Sequence, residues 1–402
     1  MTDKVQRVQV VIAGAGPVGC VAATYLAQRG IDVVLAESGP DAARDLRAST
    51  FHPPTLEMLD TIGITDRLIA MGLKAPIYHW RDRRSGEILS FDLSEIADVT
   101  RYPYRIQCEQ YHLSRMLADG IEALPSAQLL FNHQLVHFEQ DADGVNVSLE
   151  NPTEIKKFRA NFLIGADGAS SIVRKWLGVE FDGFTYPEKF LCLTTETPLE
   201  DYLPGLADVN YVSDPHEWLV LLRVPTLWRV LVPADDADDS ISLLSDAKKD
   251  RVFDGLTGDG AAVETFHRTI YRVHQRVAKQ FRIGRALLIG DAAHLNNPLG
   301  GFGMNSGIHD AFNLCDKLIK VLAGKANGEL LDRFDRQRRT MTHDFIQRQT
   351  IDNMALIRAG QGEAHQRQLE KMRSIAHEPE ARRNYMLRQA MFTSLADAEA
   401  IA

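Results

Sequence analysis

Apolar runs near the start of the chain predict a βαβ unit, in which a helix joins two strands. Val8–Ala13 is rich in β-branched residues, and Asp32–Ala36 is a second apolar run, so both are predicted strands. Cys20–Arg29 lies between them and is the predicted helix. Gly30 then stands where helices commonly end.

Further along, shorter runs predict a mixture of helices and strands. Apolar residues at helical spacing mark Gln110–Leu124, and Asp143–Gly144 is a dipeptide favoured in hairpin turns. The other predicted elements of this part are a helix from Thr55, strands at Ile77–Arg81 and Ile88–Leu93, two strands within Leu129–Leu149, a strand at Phe158–Gly165 and a helix at Ile172–Leu177.

The second half of the chain predicts a sheet, a strand–loop–helix unit and a helical tail. A mostly antiparallel sheet is predicted from Leu191–Thr195, Val209–Val212, Trp218–Val224 and Trp228–Val232. An apolar strand at Ala286–Ile289, a glycine-rich uncharged loop and a helix from Asn305 follow. The predicted tail helices are Leu314–Leu322, Leu330–Arg358 and Glu363–Leu395, the last interrupted at Pro379. Their charged faces are typical of solvated helices, and a role in a homodimer is a further prediction.

Composition narrows the class of protein. The 402 residues suffice for two domains, or for one domain with a large insertion, and the mean hydropathy of −0.19 is ordinary for a globular chain. A net charge of −9 argues against a nucleic-acid partner. Val10–Ala27 is 18 residues without a charge, but its glycines and proline indicate a strand–turn–helix and not a membrane span. The polar start and four scattered cysteines predict a cytoplasmic protein with reduced thiols.

The loop between the first predicted strand and helix reads Gly14-Ala15-Gly16-Pro17-Val18-Gly19, and Glu37 follows the next strand, 23 residues past Gly14. This arrangement is typical of a dinucleotide site. Gly14 suits the tight turn, Gly16 lets a pyrophosphate approach, and Gly19 lets the helix pack on the strand. Glu37 can accept hydrogen bonds from ribose hydroxyls.

Two other strand ends carry an aspartate beside a glycine. Asp167–Gly168 follows Phe158–Gly165, and Gly290–Asp291 precedes the glycine-rich loop. Each pair is also compatible with an ordinary turn. Arg44 and Arg47 precede a Pro-Pro turn, where an arginine would either neutralise a cofactor phosphate or lie on the solvated surface.

Three motifs together resemble those of the single-component FAD-dependent aromatic hydroxylases, which have the para-hydroxybenzoate hydroxylase-like fold. The matching stretches are VVIAGAGPVG with Glu37, FLIGADGASSIVRKWLG, and ALLIGDAAHLNNPLGGFGMNSGIHDAFNL. Their order and spacing agree over roughly 350 residues. The resemblance implies an FAD-binding Rossmann-type domain interleaved with a mostly antiparallel substrate domain, followed by a helical C-terminal tail. It places the FAD domain at residues 1–75, 100–183 and 280–330, the substrate domain at 76–99 and 184–279, and the tail at 331–402.

The resemblance also implies roles for individual residues. By this resemblance, Gly14, Gly16 and Gly19 bind the ADP part of FAD, Glu37 binds its ribose and Arg47 lies by its pyrophosphate. Gln110 contacts FAD, and Asp291 holds the ribityl chain. Asp167 takes part in both FAD and NAD(P)H function. Pro298 would lie beside the reactive edge of the flavin, with Gly303, Met304 and Asn305 at its pyrimidine end. Tyr211 and Arg223 fall near positions that bind substrate in the family, although aromatic residues on strands more often pack in the core.

The implied reaction uses NADH or NADPH to reduce FAD, which captures O2 as a C4a-hydroperoxide and hydroxylates a small phenolic or hydroxy-N-heteroaromatic substrate. A related flavoprotein reductase is an alternative, whereas a halogenase is disfavoured because the motif WxWxIP is absent. A nucleotide-binding redox sensor without turnover is another alternative. Neither metal-ligand spacing nor GxSxG is present, so a metal site and serine hydrolase chemistry are not predicted.

Overall fold

The computed structural model describes residues 5–42, 48–214, 217–235, 237–358 and 362–402. A mainly parallel sheet and a mainly antiparallel sheet are accompanied by a small third sheet and by helices. The C-terminal helices pack on one end of the antiparallel sheet. This mixed α/β architecture confirms the predicted fold class.

The strands in the described ranges are β1 (Gln6–Ala13), β2 (Val33–Ala36), β3 (Thr50–Phe51), β4 (Leu73–Ala75), β5 (Ile77–Asp82), β6 (Ile88–Asp92), β7 (Arg105–Gln107), β8 (Ala127–Leu130), β9 (Gln134–Gln140), β10 (Val145–Glu150), β11 (Ile155–Gly165), β12 (Phe181–Thr195), β13 (Val209–Ser213), β14 (Leu219–Val224), β15 (Leu227–Asp235), β16 (His267–Ala278), β17 (Arg282–Ile283), β18 (Ala286–Leu288) and β19 (His294–Leu295). The α-helices are α1 (Pro17–Ala27), α2 (Pro53–Asp60), α3 (Thr65–Met71), α4 (Gln110–Ile121), α5 (Ile172–Trp176), α6 (Ser240–Leu243), α7 (Asp246–Thr257), α8 (Phe302–Leu322), α9 (Glu329–Met341), α10 (Arg348–Arg358), α11 (Glu363–His377), α12 (Pro379–Gln389) and α13 (Phe392–Ala400).

The first sheet has the strand order β17-β18-β11-β1-β2-β8, and β18, β11, β1, β2 and β8 are parallel. Its centre is apolar, since Val10–Ala13 of β1 are buried beside Phe162–Gly165 of β11. Helix α1 begins at Pro17, three residues before the predicted start, because the fixed φ of proline suits the first helical turn. The predicted βαβ unit is confirmed.

The prediction of two strands within Leu129–Leu149 was partly wrong. Strands β9 and β10 do form a hairpin, and the Oδ1 atom of Asp141 accepts hydrogen bonds from the Asp143 and Gly144 N–H groups at its turn. Residues 129 and 130, however, belong to β8, which pairs in parallel with β2. An apolar run shows that a strand is buried but does not show which strand it pairs with.

The second sheet has the order β19-β16-β12-β15-β14-β13-β5-β6 and is mostly antiparallel, as predicted. The exception is the parallel pair β13 and β5. Strand β12 is 15 residues long and begins at Phe181, well before the predicted start at Leu191. Its pairing with β16 shifts in register between Thr185 and Lys189. One face of the sheet packs on α7, and the other faces Leu299 and helix α10. The domain boundaries given above stay a prediction.

Helix α8 follows the glycine-rich loop and begins at Phe302, earlier than the predicted Asn305. Gly301 precedes it with a φ of 69°, a conformation that favours glycine. The predicted helix Leu330–Arg358 is divided into α9 and α10 by a π-helical segment at Thr342–Gln347, and Pro379 begins α12.

No helix in the described ranges is both long and apolar enough to cross a membrane. All four cysteines are buried and none is in a disulfide.

Candidate functional site

The predicted motif residues follow the carboxyl ends of four neighbouring parallel strands. Gly14 follows β1, Glu37 follows β2, Asp167 follows β11 and Asp291 comes shortly after β18. Because the strands are parallel neighbours, their carboxyl ends lie along one edge of the sheet. Open α/β sheets bind ligands at this edge.

The three motif glycines differ in what surrounds them. Gly14 has a φ of +100°, and a Cβ atom there would lie 2.4 Å from the Ala166 carbonyl oxygen. A Cβ at Gly19 would lie 1.9 Å from the Gly14 oxygen. A Cβ at Gly16, in contrast, would meet nothing within 4 Å. Thus Gly14 and Gly19 are required by the fold itself, whereas the space beside Gly16 is open.

Glu37 is held at the start of the glycine motif. Its Oε2 atom accepts a hydrogen bond of 2.9 Å from the Ala15 N–H, and its Oε1 atom accepts one of 2.9 Å from the Gly39 N–H. The Ser38 hydroxyl also donates to Oε1, at 3.1 Å. These bonds fix the carboxylate beside the loop and leave a further acceptor position on Oε2. Its position is suited to ribose hydroxyls.

Asp167 has a structural role that is visible in its contacts. Its Oδ2 atom accepts hydrogen bonds from the N–H groups of Ile172, at 2.7 Å, and Val173, at 3.1 Å. Its Oδ1 atom accepts a hydrogen bond of 2.5 Å from the Ser171 hydroxyl. The aspartate therefore orders the start of α5, where a carboxylate also interacts favourably with the helix dipole. Its backbone lies against Gly14.

A buried ion-pair network joins the two ends of Ala286–Asp310. The fully buried Asp310 accepts hydrogen bonds from the Gly290 N–H at 3.1 Å, from His294 Nε2 at 2.8 Å and from Arg338 Nε at 2.6 Å. Burial opposes ionisation, but His294 and Arg338 outweigh it and lower the pKa of Asp310. The half-buried Asp291 is next to the anchored Gly290, so its turn is rigidly placed.

The glycine-rich loop is held by Asn297, which is fully buried. Its Nδ2 group donates to the Tyr186 hydroxyl at 3.1 Å and to the Thr350 carbonyl at 3.0 Å, and its Oδ1 atom accepts from the Leu299 N–H at 3.1 Å. Pro298 lies between these two buried residues and is itself exposed. The loop therefore presents Pro298 outward on a fixed base.

Gly303, Met304 and Asn305 lie in the first turn of α8, where N–H groups lack partners within the helix. The Asn305 side chain is fully engaged within the protein. Its Nδ2 group donates to the Thr50 carbonyl at 2.8 Å and to the Gly301 carbonyl at 2.6 Å, and its Oδ1 atom accepts from the His52 N–H at 3.0 Å. Only the main chain of this turn remains to face a ligand.

Gln110 begins α4 and is half-buried, and its N–H donates to the Ala48 carbonyl at 2.9 Å. Arg44 and Arg47, the two arginines expected near a pyrophosphate, lie outside the described residues.

Comparison with known proteins identifies the family. A model of the FAD binding domain family matches residues 7–349. The para-nitrophenol 4-monooxygenase of Pseudomonas sp. (strain WBC-3) is 33% identical to this chain over 341 residues, which are 84% of each protein. The chain belongs to the FAD-dependent aromatic hydroxylases. The 6-hydroxy-3-succinoylpyridine 3-monooxygenase HspB of Pseudomonas putida (strain DSM 28022 / S16) is 32% identical over 348 residues, 86% of this chain and 88% of that protein.

A solved structure extends the similarity to the whole hydroxylase fold. The crystal structure of p-nitrophenol 4-monooxygenase PnpA from Pseudomonas putida DLL-E4 superposes with a TM-score of 0.90 at 29% identity. The match covers 97% of this chain and 98% of that one.

The residues at the sheet edge fit the FAD of this hydroxylase family. Open space lies beside Gly16, where a pyrophosphate would approach, and the Glu37 carboxylate stands nearby. Close to the glycine-rich loop, the Ser49 hydroxyl and the Gln107 Nε2 group are buried without a hydrogen-bond partner among the described residues. Buried polar groups are normally paired, so a bound polar ligand at this place would satisfy them.

Of the two predicted substrate residues, the structure brings only Tyr211 toward the glycine-rich loop. Tyr211 lies opposite Val220 across β13 and β14, and both belong to the cluster that contains Leu299. Arg223 points to the other face of the sheet, because it lies opposite Trp228, which packs toward α7. There it forms an ion pair of 2.9 Å with Glu200. The geometry therefore does not support Arg223 as a substrate ligand.

Sequence reasoning missed two buried arginines on the side of the sheet that faces the loop. Arg229 lies opposite Leu222, on the same face as Tyr211, and forms an ion pair of 3.2 Å with Glu109. Burial raises the pKa of Glu109, and the charge of Arg229 opposes this rise. Arg105 lies on the short strand β7 and is 1% exposed. A signal was present in RYPYRIQ, where an arginine interrupts an aromatic strand-like run.

Proposed function

We propose that this protein is a NAD(P)H-dependent monooxygenase that hydroxylates a small phenol or hydroxy-N-heteroaromatic compound. In the balanced reaction, an aromatic C–H group, O2, NAD(P)H and a proton give the corresponding C–OH group, water and NAD(P)+. When bound, FAD would supply the redox chemistry by accepting a hydride and activating O2.

One observation carries this proposal. The loop that presents Pro298 lies between the carboxyl edge of the parallel sheet and a second sheet whose facing side bears Tyr211 and a buried arginine, Arg229. A ring held there would lie between the cofactor site and aromatic walls. Relatives named for para-nitrophenol and for 6-hydroxy-3-succinoylpyridine support a hydroxylated ring as the substrate class.

The residues of this chain would bind and orient the cofactor and would exclude water. Gly14–Gly19 and Glu37 would hold the ADP part of FAD, and Asp291 the ribityl chain. The first turn of α8 would place its free N–H groups and positive dipole end beside the flavin ring, which favours negative charge there. Pro298 on its fixed base would keep the reacting face dry and rigid.

The test is a substrate panel with purified, FAD-loaded protein. Phenols and hydroxypyridines, including 4-nitrophenol, are scored for stimulated NADH or NADPH oxidation and for an oxygenated product. We expect stimulation and product with at least one class. Oxidation that yields only hydrogen peroxide would mark a ring that binds without being hydroxylated.

The redox-sensor alternative predicts a different result. A nucleotide-binding redox sensor would bind FAD, but no aromatic compound would stimulate the oxidation of NAD(P)H. A protein that stays colourless after FAD is added would contradict the proposal altogether. A cytoplasmic location and a homodimer stay predictions, and gel filtration of the purified protein tests the latter.

A further inference from the structure

Four arginines are buried in the described part of the chain, and one of them differs from the others. Arg338 pairs with Asp310, Arg229 pairs with Glu109, and Arg174 donates to the carbonyls of Ala169 and Ala292. No described carboxylate lies within 4.0 Å of the fourth, Arg105. Its Nε and Nη1 groups are buried without any hydrogen-bond acceptor in the described ranges.

An unpaired guanidinium in the interior is costly. Arginine remains protonated in proteins, and a buried charge is normally neutralised by a partner or hydrogen-bonded. A bound molecule would therefore supply the partner that the Arg105 side chain lacks. That partner would be an anion or another strong acceptor.

The walls around Arg105 are aromatic. Its guanidinium carbon lies 4.3 Å from the ring centre of Tyr78, which in turn packs edge-on against Tyr211 with ring centres 6.5 Å apart. The Tyr78 hydroxyl is also buried and has no partner in the described structure. Burial raises the pKa values of Tyr78 and of the neighbouring Tyr385. Both phenols thus stay neutral and cannot neutralise the arginine.

Arg105 lies on β7, which pairs with β3, the strand next to the glycine-rich loop. Strand β7 pairs with β3, with Ile106 opposite Phe51, so His52 at the end of β3 comes next to Arg105. His52 Nε2 donates to the Gly300 carbonyl at 2.8 Å. Burial, followed by the charge of Arg105, holds the pKa of His52 well below its usual value. His52 is therefore neutral and does not compete with Arg105 for an anion.

We propose that the Arg105 guanidinium binds the ionised ring hydroxyl of the aromatic substrate and makes the pocket selective for phenolates. The assignment rests on the proposed function, because it requires an aromatic substrate beside the loop that carries Pro298. Tyrosine rings beside one buried cation match a ring with one anionic oxygen. An ionised hydroxyl also makes the ring electron-rich, as hydroxylation requires.

The proposal is tested with Arg105→Met and Arg105→Lys in the FAD-loaded protein. The ligand is 4-nitrophenol, whose ionised form absorbs in the visible range. In the unchanged protein we expect bound ligand to be ionised at pH values where free ligand is largely neutral. In Arg105→Met we expect that spectral signature to disappear and the Kd to rise roughly 10- to 100-fold, the range for losing hydrogen bonds to a charged group. Lysine should restore part of both.

Controls separate this inference from folding and from the proposed function. Arg101→Gln, at an exposed arginine four residues earlier, should leave ligand ionisation unchanged. FAD content and ligand-free thermal stability should persist in Arg105→Met, because no ion pair or hydrogen bond of Nε or Nη1 with the described residues is lost. Nitrobenzene, which has no ring hydroxyl, should bind equally to both proteins.

Three results would overturn the assignment. The first is an unchanged Kd and spectrum for 4-nitrophenol in Arg105→Met. The second is nitrobenzene binding that depends on Arg105, which would place a ring substituent and not the hydroxyl at the guanidinium. The third is failure of the unchanged, FAD-loaded protein to bind any phenol. If the protein also bound no hydroxypyridine, the proposed function would be rejected as well.

Discussion

A pair of glycine-to-alanine substitutions separates the needs of the fold from the needs of the cofactor. Gly16 has a φ of −68° and a ψ of 178°, which alanine adopts without strain, and its added Cβ would meet no atom within 4 Å. Gly16→Ala should therefore fold. Alanine restricts the backbone of the unfolded chain more than glycine does, which stabilises the folded protein by about 0.4–1 kcal/mol. Replacing the glycine at the N-cap of α1 by alanine costs a similar amount. The net change in the free energy of unfolding should be close to zero.

FAD binding should respond differently. If the open space beside Gly16 receives the pyrophosphate, an added methyl group overpacks that contact by about 1–3 kcal/mol. Because 1.4 kcal/mol corresponds to a factor of ten, the FAD Kd should rise roughly 5- to 150-fold. Gly19→Ala is the matched variant. Its Cβ would lie 1.9 Å from the Gly14 oxygen, so flavin-free protein should itself be destabilised.

The assay combines thermal unfolding of the flavin-free proteins with FAD titration followed by flavin fluorescence. We expect Gly16→Ala to unfold at nearly the unchanged temperature and to bind FAD weakly, and Gly19→Ala to unfold at a lower temperature. An unchanged FAD Kd in Gly16→Ala would refute the placement of the pyrophosphate. A large loss of stability in that variant would refute the open space.

Three further substitutions test other parts of the site. Asn297→Leu removes the donor to the Tyr186 hydroxyl and the acceptor of the Leu299 N–H, so urea unfolding should show a loss of roughly 2–5 kcal/mol. The peroxide formed per NAD(P)H oxidised should also rise, and an unchanged ratio would contradict the role of Asn297 in holding the loop. Arg223→Ala should leave the substrate KM unchanged, because the side chain faces Glu200 on the far side of the sheet, and a raised KM would restore it as a ligand. Burial, followed by the charge of Arg338, lowers the pKa of His309 from 6.5 to about 3. Between these pH values the unfolded chain binds a proton at His309 that the folded chain does not. The free energy of unfolding should therefore fall as the pH decreases from 6.5 toward 3. His309→Gln should flatten that dependence in urea unfolding measured across the range, and an equally steep loss would point to other groups.

The placement of the residues predicted to bind the cofactor followed from the sequence because its signals are local. Gly14–Gly19, Glu37 and Asp291 each lie within a few residues of a strand that is visible as an apolar run. The parallel order of those strands then brings the motifs to one edge without any further information. The start of helix α8 was predicted at Asn305, but the helix begins at Phe302, because Gly301 and not the apolar periodicity decides where it begins.

The substrate half was not predictable in the same way. Whether Arg223 or Arg229 faces the loop depends on strand register, and residues one apart on a strand point to opposite faces. Arg105 is buried because β7 pairs with β3, more than 50 residues earlier in the chain. No local pattern reports either fact.

The C-terminal helices have contacts with the sheet that their charged sequence pattern does not reveal. Their apolar residues Leu369, Met372 and Met386 are buried against strands β5 and β6, while surface ion pairs such as Arg373–Glu87 join the same elements. Exposed pairs contribute only about 0–1 kcal/mol each, so apolar burial is the main attachment. That attachment carries Tyr385, whose ring centre lies 4.9 Å from that of Phe91, into the aromatic wall around Arg105. Through Tyr385 the tail therefore contributes to the surroundings of Arg105, a contact that the predicted helices and their charged faces did not reveal.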